Sequence, residues 1–191
     1  LAPDNVDCIG IIGTGTQARL QLEYLSGIVD CKHVKVWGRH MDHTDAYCAE
    51  MNKQGYSVSS TDLESLTKAC NFIVTTTPST EPLIVSDWVQ PGTHITAMGS
   101  DTQGKQELDT EILNRADRVV ADSIAQCIER GEIAKALEAG VLVEDEVVEL
   151  GHVISGKAEG RTRADQLTVA DLTGVAVQDI QITNAVLNSL E

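Results

Sequence analysis

The stretch Cys8-Ile9-Gly10-Ile11-Ile12-Gly13-Thr14-Gly15-Thr16-Gln17-Ala18 decides how the chain reads. Its first half is a short unbroken apolar run ending in glycine, the form a buried parallel strand takes. From Gln17 to Ile28, Ala18, Leu22, Leu25 and Ile28 recur at spacings of three and four, the period of a helix with one buried face. A glycine turn that leaves a strand and opens a helix is the sequence form of a dinucleotide-binding crossover. Gly13 permits the tight turn, Gly15 lets backbone amides approach a pyrophosphate, and the small Ala18 keeps helix and strand close. On this reading Gly13, Thr14, Gly15, Thr16, Gln17 and Ala18 hold the cofactor. The bland alternative is a glycine-rich turn with no ligand; the flanking strand and helix argue against it.

Working outward, apolar runs alternate with helical periods. Val34–Trp37 reads as a strand and 44–52 as a helix, with a weaker strand over Tyr56–Val58. Thr61-Asp62-Leu63-Glu64 has the form of a capping box opening a third helix. Strands follow at 72–74, 94–98 and 118–120, and helices at 108–113 and 125–137. Such β-α alternation predicts an α/β fold: a Rossmann-type, doubly wound, mostly parallel sheet with helices on both faces. Right-handed crossovers place the loops after each strand on one edge, where ligands bind. After Gly140 the pattern weakens, and the acids of Glu144–Glu149 read as a solvated face. Residues 1–165 are expected to form the dinucleotide-binding domain. Residues 166–191 then supply a strand at 168–172 and a terminal helix at 175–190.

Composition narrows the partners. Fourteen Lys and Arg against 29 Asp and Glu give a formal charge of −15, which excludes a phosphate-backbone partner in the absence of a basic stripe. Aromatics make up 3% of the chain, so the core must rest on Ile, Val, Leu and Ala. Five scattered cysteines without a C-x-x-C pair read as reduced thiols of a cytoplasmic protein. No apolar run has the length of a membrane span.

The residue that reads the adenosine ribose belongs at the end of the second strand, roughly 20 residues past the turn. The sequence there is Trp37-Gly38-Arg39-His40, with no carboxylate before Asp42. Arg suits a 2′-phosphate where Asp would repel one, so Gly38, Arg39 and His40 are read as cofactor contacts that favour NADP(H) over NAD(H). Thr75, Thr76 and Thr77 follow a strand at the ligand edge, where their hydroxyls and amides can meet the nicotinamide ribose. The spacing His40-Met41-Asp42-His43 reads as the start of a surface helix, and no metal site is expected.

These blocks resemble the ornithine cyclodeaminase/mu-crystallin family. The likeness runs through the turn at residues 13–18, Val36-Trp37-Gly38-Arg39, and Val74-Thr75-Thr76-Thr77-Pro78. Its most specific parts are Pro91–Asp101 and Gly104-Lys105-Gln106-Glu107-Leu108-Asp109. Gly160-Arg161-Thr162 and Thr168–Gly174 resemble the family's C-terminal signature. The resemblance implies an NAD(P)-dependent enzyme acting on a small amino or imino acid. Its leading form is an ornithine cyclodeaminase: oxidation to an imine, cyclisation with loss of ammonia, and return of hydride. The alternatives are an NADPH-dependent ketimine reductase or amino acid dehydrogenase, and a non-catalytic mu-crystallin-like binding protein.

Asp101 matches the family's acid/base, and that work calls for a carboxylate partly shielded from water. Met98, Gly99 and Ser100 lead to it from the strand and, with Lys105, count as cofactor contacts. Family members carry a further segment ahead of the turn that binds substrate and forms a homodimer. The terminal helix of this chain is expected to pack against such a segment.

Overall fold

The computed structural model describes residues 1–189, so Leu190, the expected end of the terminal helix, lies outside the described residues. One all-parallel sheet of eight strands organises the chain, in the order β3-β2-β1-β4-β6-β10-β8-β9. Its left half is built from β1 (Ile9–Ile12), β2 (His33–Trp37), β3 (Ser57–Ser60) and β4 (Phe72–Thr75). The right half is built from β6 (His94–Ala97), β8 (Arg118–Ala121), β9 (Val147–Glu149) and β10 (Thr168–Asp171). Chain order reverses between β1 and β4, the crevice where Rossmann-type sheets take their ligands.

Alternation along β1 shows why both faces are covered. Ile9 and Ile11 join a core with Ala18 and Leu22 of α1 (Thr16–Leu25) and Tyr47 and Met51 of α2 (Met41–Lys53). Ile12 points the other way, into a core with Leu66 of α3 (Leu63–Ala69), Ile73, Ile95 and Val169. Each such isoleucine contributes about 1.5–3 kcal/mol by leaving water. Gly10 shares the α3 side: a Cβ there would lie 2.6 Å from Leu66 Cδ2, so only glycine lets that helix sit so close.

Several expectations are revised. The cap of α3 is Asp62, whose carboxylate accepts from Ser65 N at 2.8 Å, and the Thr61–Glu64 box does not form. Residues 108–113 are not one helix. Gln106–Leu108 is strand β7, paired in a small second sheet with β5 (Thr80–Ile84), and α4 spans Thr110–Arg115. The single helix expected over 125–137 is divided into α5 (Ile124–Cys127) and α6 (Gly131–Glu138), because Gly131 takes a left-handed φ of 92°. The acidic run at 144–149 is a 3-10 turn followed by β9, and a short helix α7 (Leu150–Ile154) comes after it.

Strand β10, which the sequence grouped with the terminal segment, lies between β6 and β8 near the middle of the right half. Helix α8 (Ala176–Ser189) closes the described chain, with Ile182, Val186 and Leu187 exposed. The five cysteines are free thiols. Among the described residues no helix is long and apolar enough to cross a membrane.

Candidate functional site

The carboxyl ends of β1, β2 and β4 are knitted together by the glycine turn. Gly13 N donates to Trp37 O and Thr76 N to Ile12 O, both at 2.8 Å. Gly13 takes a φ of 115°, and a Cβ on it would collide with Thr76 Oγ1. At Gly38 a Cβ would meet Thr44 Oγ1 at 2.5 Å and Thr14 Cγ2 at 2.7 Å. Both glycines are therefore required by the protein's own packing.

Gly15 is different. It is the N-cap of α1 with an unexceptional φ of −81°, and a Cβ there meets nothing within 4 Å. The helix start has no side-chain cap and no acid in its first turn, so its amides face outward unanswered. Arg19 holds the carbonyl side of the turn instead. Its Nη1 donates to Thr14 O and to Gly15 O (3.1 Å), and its Nε pairs with Glu50 at 2.7 Å.

This turn opens into a cavity of about 300 Å³ that brings together Gly13, Thr14, Gly15, Gly38, Arg39, His40, Thr76 and Thr77. Trp37, His43, Pro78 and Leu83 complete its walls. Arg39 is exposed and makes no hydrogen bond or ion pair among the described residues. Thr16 and Gln17 are exposed on the first turn of α1, while Ala18 is fully buried and packs in the core.

The expectation for the threonines is corrected. Thr75 is fully buried and donates its hydroxyl to Glu107 Oε2 at 2.6 Å, so its side chain cannot reach a ligand. Thr76 and Thr77 line the cavity, but their hydroxyl protons go to Ile12 O and Glu107 Oε1. The loop after β6 stands apart from this cavity. Met98 packs against the core, Ser100 is buried, and Gly99 N donates to Glu107 Oε2 at 2.8 Å. Asp101 is 51% exposed and pairs with Lys105 at 2.6 Å, so these residues do not supply the shielding that was expected. Lys105 borders a second cavity with Gly104, Arg130 and Gly131.

Sequence reading missed the acids beneath these loops. Glu107, Glu132 and Asp171 are 0%, 1% and 0% exposed. Glu132 accepts from the amides of Glu107 (2.8 Å) and Leu108 (3.1 Å), and Asp171 accepts from Ile133 N at 2.9 Å. Burial pushes all three carboxyls up, Glu132 to about 7. A single sequence gave little sign of them, because acids read as solvent-facing unless their partners are known.

A parallel sheet that reverses its order beside a glycine turn and an uncapped helix defines a Rossmann-type α/β protein. A sequence model of the ornithine cyclodeaminase/mu-crystallin family matches residues 1–191, and the chain belongs to that family. An uncharacterized cyclodeaminase of Sinorhizobium fredii is 38% identical over 100% of this chain and 59% of its own length. Among solved structures, an archaeal alanine dehydrogenase dimer with bound NAD superposes with a TM-score of 0.92 at 38% identity, covering 96% of this chain and 57% of that one. The iminosuccinate reductase of Paracoccus denitrificans in complex with NAD⁺ gives 0.90 at 36% identity, covering 98% and 58%. The chain thus spans under three-fifths of the length of these relatives. Dehydrogenases, cyclodeaminases and imine reductases all occur among the family's members.

Proposed function

We propose that this chain is the dinucleotide-binding half of an NAD(P)-dependent enzyme that interconverts a small amino acid and its imine. The observation that carries the reading is Gly15: nothing in the protein requires glycine there, whereas a pyrophosphate lying on the first turn of α1 would. The residues fit such a group. The amides of Gly15, Thr16 and Gln17 present donors and the positive end of a helix dipole, and Gly38 leaves room for the turn. Arg39, without a partner among the described residues and bordering the same cavity, favours a 2′-phosphate and hence NADP(H). The neighbours' bound NAD and NAD⁺ support a nicotinamide dinucleotide in general.

When bound, the nicotinamide supplies hydride transfer to or from the amino-bearing carbon. Asp101 at the carboxyl edge holds or moves the proton at the substrate nitrogen, and Lys105 at 2.6 Å orients its carboxylate. Water exclusion and recognition of the substrate carboxylate belong, on this proposal, to a segment outside these 191 residues. That segment also forms the homodimer and receives the exposed apolar side chains of α8. The finer reading is ornithine cyclodeamination, in which hydride returns and ammonia leaves. Net imine reduction is the second reading, favoured by the reductase and dehydrogenase relatives.

Assay of the full-length protein with ornithine, lysine, alanine and cyclic imines separates them. Ammonia release without net change in nicotinamide absorbance marks cyclodeamination, and a net change marks a dehydrogenase or reductase. Asp101→Asn should keep dinucleotide affinity and lose turnover. Normal turnover in that variant would refute the assigned role.

A further inference from the structure

Two loops at the carboxyl edge, residues 75–77 after β4 and 98–99 after β6, share one backbone bond, Met98 N to Thr75 O at 3.0 Å, and beyond the strand ends no direct side-chain bond joins them among the described residues. They meet on one carboxylate. Glu107 Oε1 accepts from Thr77 N (2.5 Å) and Thr77 Oγ1 (2.7 Å), and Oε2 accepts from Thr75 Oγ1 (2.6 Å) and Gly99 N (2.8 Å). Four donors occupy the four acceptor directions of the carboxylate, so it is saturated. A side chain on Gly99 would lie 2.5 Å from the Glu107 carboxyl and collide with Thr77 O, so the site is shaped around this contact. The backbone carrying Glu107 is itself fixed, since Glu132 accepts from the amides of Glu107 and Leu108.

No cation pairs with Glu107 among the described residues, although it is wholly buried. A buried carboxylate without a counter-ion costs more than an apolar side chain of similar volume would. Folding alone therefore gives little reason for an acid in this position. The four bonds do have one joint effect: they set the separation and tilt of two loops, one bordering the cavity through Thr76 and Thr77 and the other leading to Asp101.

We propose that Glu107 is a positioning residue that locks these two loops in register and so holds Asp101 at its working place on the carboxyl edge, relative to the loop that borders the cavity. The inference rests on the function proposed above, but the locking itself can be measured without cofactor. Glu107→Gln replaces one acceptor oxygen with an NH₂ group. That group opposes a backbone amide that, unlike a hydroxyl, cannot turn away. Thr75→Val removes one hydroxyl donor at constant shape, and Thr75→Ser restores it.

The test uses the purified full-length protein. Hydrogen exchange at the amides of Thr77 and Gly99, without cofactor, reads the lock. Kd for NADPH and NADH reads the dinucleotide site, and kcat against KM reads the chemistry. Glu107→Gln and Thr75→Val should each speed exchange at those two amides while leaving the amides of β1 and β2 unchanged. Their kcat should fall by about 100-fold, as a misplacement on the order of 1 Å costs, with Kd within about threefold of the parent. Thr75→Ser should behave as the parent. Unchanged exchange at Thr77 and Gly99 in Glu107→Gln overturns the proposal. So does a loss in Thr75→Ser equal to that in Thr75→Val, or faster exchange spread evenly over the sheet. Failure of the parent protein to bind either dinucleotide sinks the functional reading instead, and the exchange results still decide whether the loops are locked.

Discussion

Helices α1 and α6 begin at the same edge of one sheet, yet their first turns are treated in opposite ways. At α6 a carboxylate answers the helix: Asp171 of β10 accepts from Ile133 N, while Glu132 in the same turn faces inward and accepts from the Glu107 and Leu108 amides of β7. At α1 the cap is Gly15, no side chain among the described residues caps the amides, and the positive end of the helix looks into a cavity. A fold under pressure for stability alone would cap both, since a side-chain cap is worth about 1 kcal/mol. The contrast separates the part of this edge that is finished internally from the part that the proposed dinucleotide would complete.

The contrast can be broken at either end. Gly15→Asp gives the first turn of α1 a carboxylate, as Asp171 of β10 gives that of α6. It should lower dinucleotide affinity by about a thousandfold, through loss of charge-assisted amide bonds, measured by titration calorimetry. The same change should leave the melting temperature equal or higher, because Asp is a good N-cap. A parallel fall of stability and affinity would show that the open end is structural.

The closed end makes its own demand through pH. Glu132 titrates at about 7 in the fold against an ordinary 4.5, so the native state holds its proton more tightly than the unfolded chain. Stability from this group is present below about pH 4.5 and is lost as pH rises towards 7, by up to ~3 kcal/mol, with Asp171 and Glu107 acting in the same direction. Denaturant unfolding between pH 5 and 8 should show this decline, and Glu132→Gln should flatten it.

Smaller effects follow. Asp171→Ala strands the Ile133 amide and should cost about 2 kcal/mol in denaturant unfolding, whereas Asp171→Asn keeps an acceptor, relieves repulsion with Glu132 and should change stability by less than ~1 kcal/mol. Arg39→Ala should weaken NADPH about tenfold and leave NADH unchanged. Equal effects on the two dinucleotides would remove the basis for preferring NADP(H).

Much of this architecture is legible in residue order, because glycine turns and apolar periods are local signals. The left half of the sheet follows from Ile9, Ile11, Val34, Val36 and Phe72, each apolar and each between turn residues. Strand β5 was missed because Pro82 argues against a strand, and here it is tolerated in a two-stranded sheet. Of strand β7 only Leu108 enters the sequence reading, as the start of a helix over 108–113, because Leu108-Asp109 runs directly into the cap of α4. Among site residues, the turn and Arg39 declare themselves by spacing. Glu107, Glu132 and Asp171 do not, since their meaning lies in partners 8 to 38 residues away along the chain.

The position of β10 has a consequence for how the molecule is made. Its residues, 168–171, are made after those of every other described strand, yet they fill the slot between β6 and β8. Until they arrive, β8 and β9 have no route into the sheet through backbone pairing, and the nascent chain carries two separate edges instead of one continuous surface. Arg161 and Thr168 also reach the Leu1 carbonyl at 2.7 and 2.9 Å, so the same region fastens the backbone ahead of β1. The two halves of the sheet therefore become one paired surface only once β10 has been made and has docked between them.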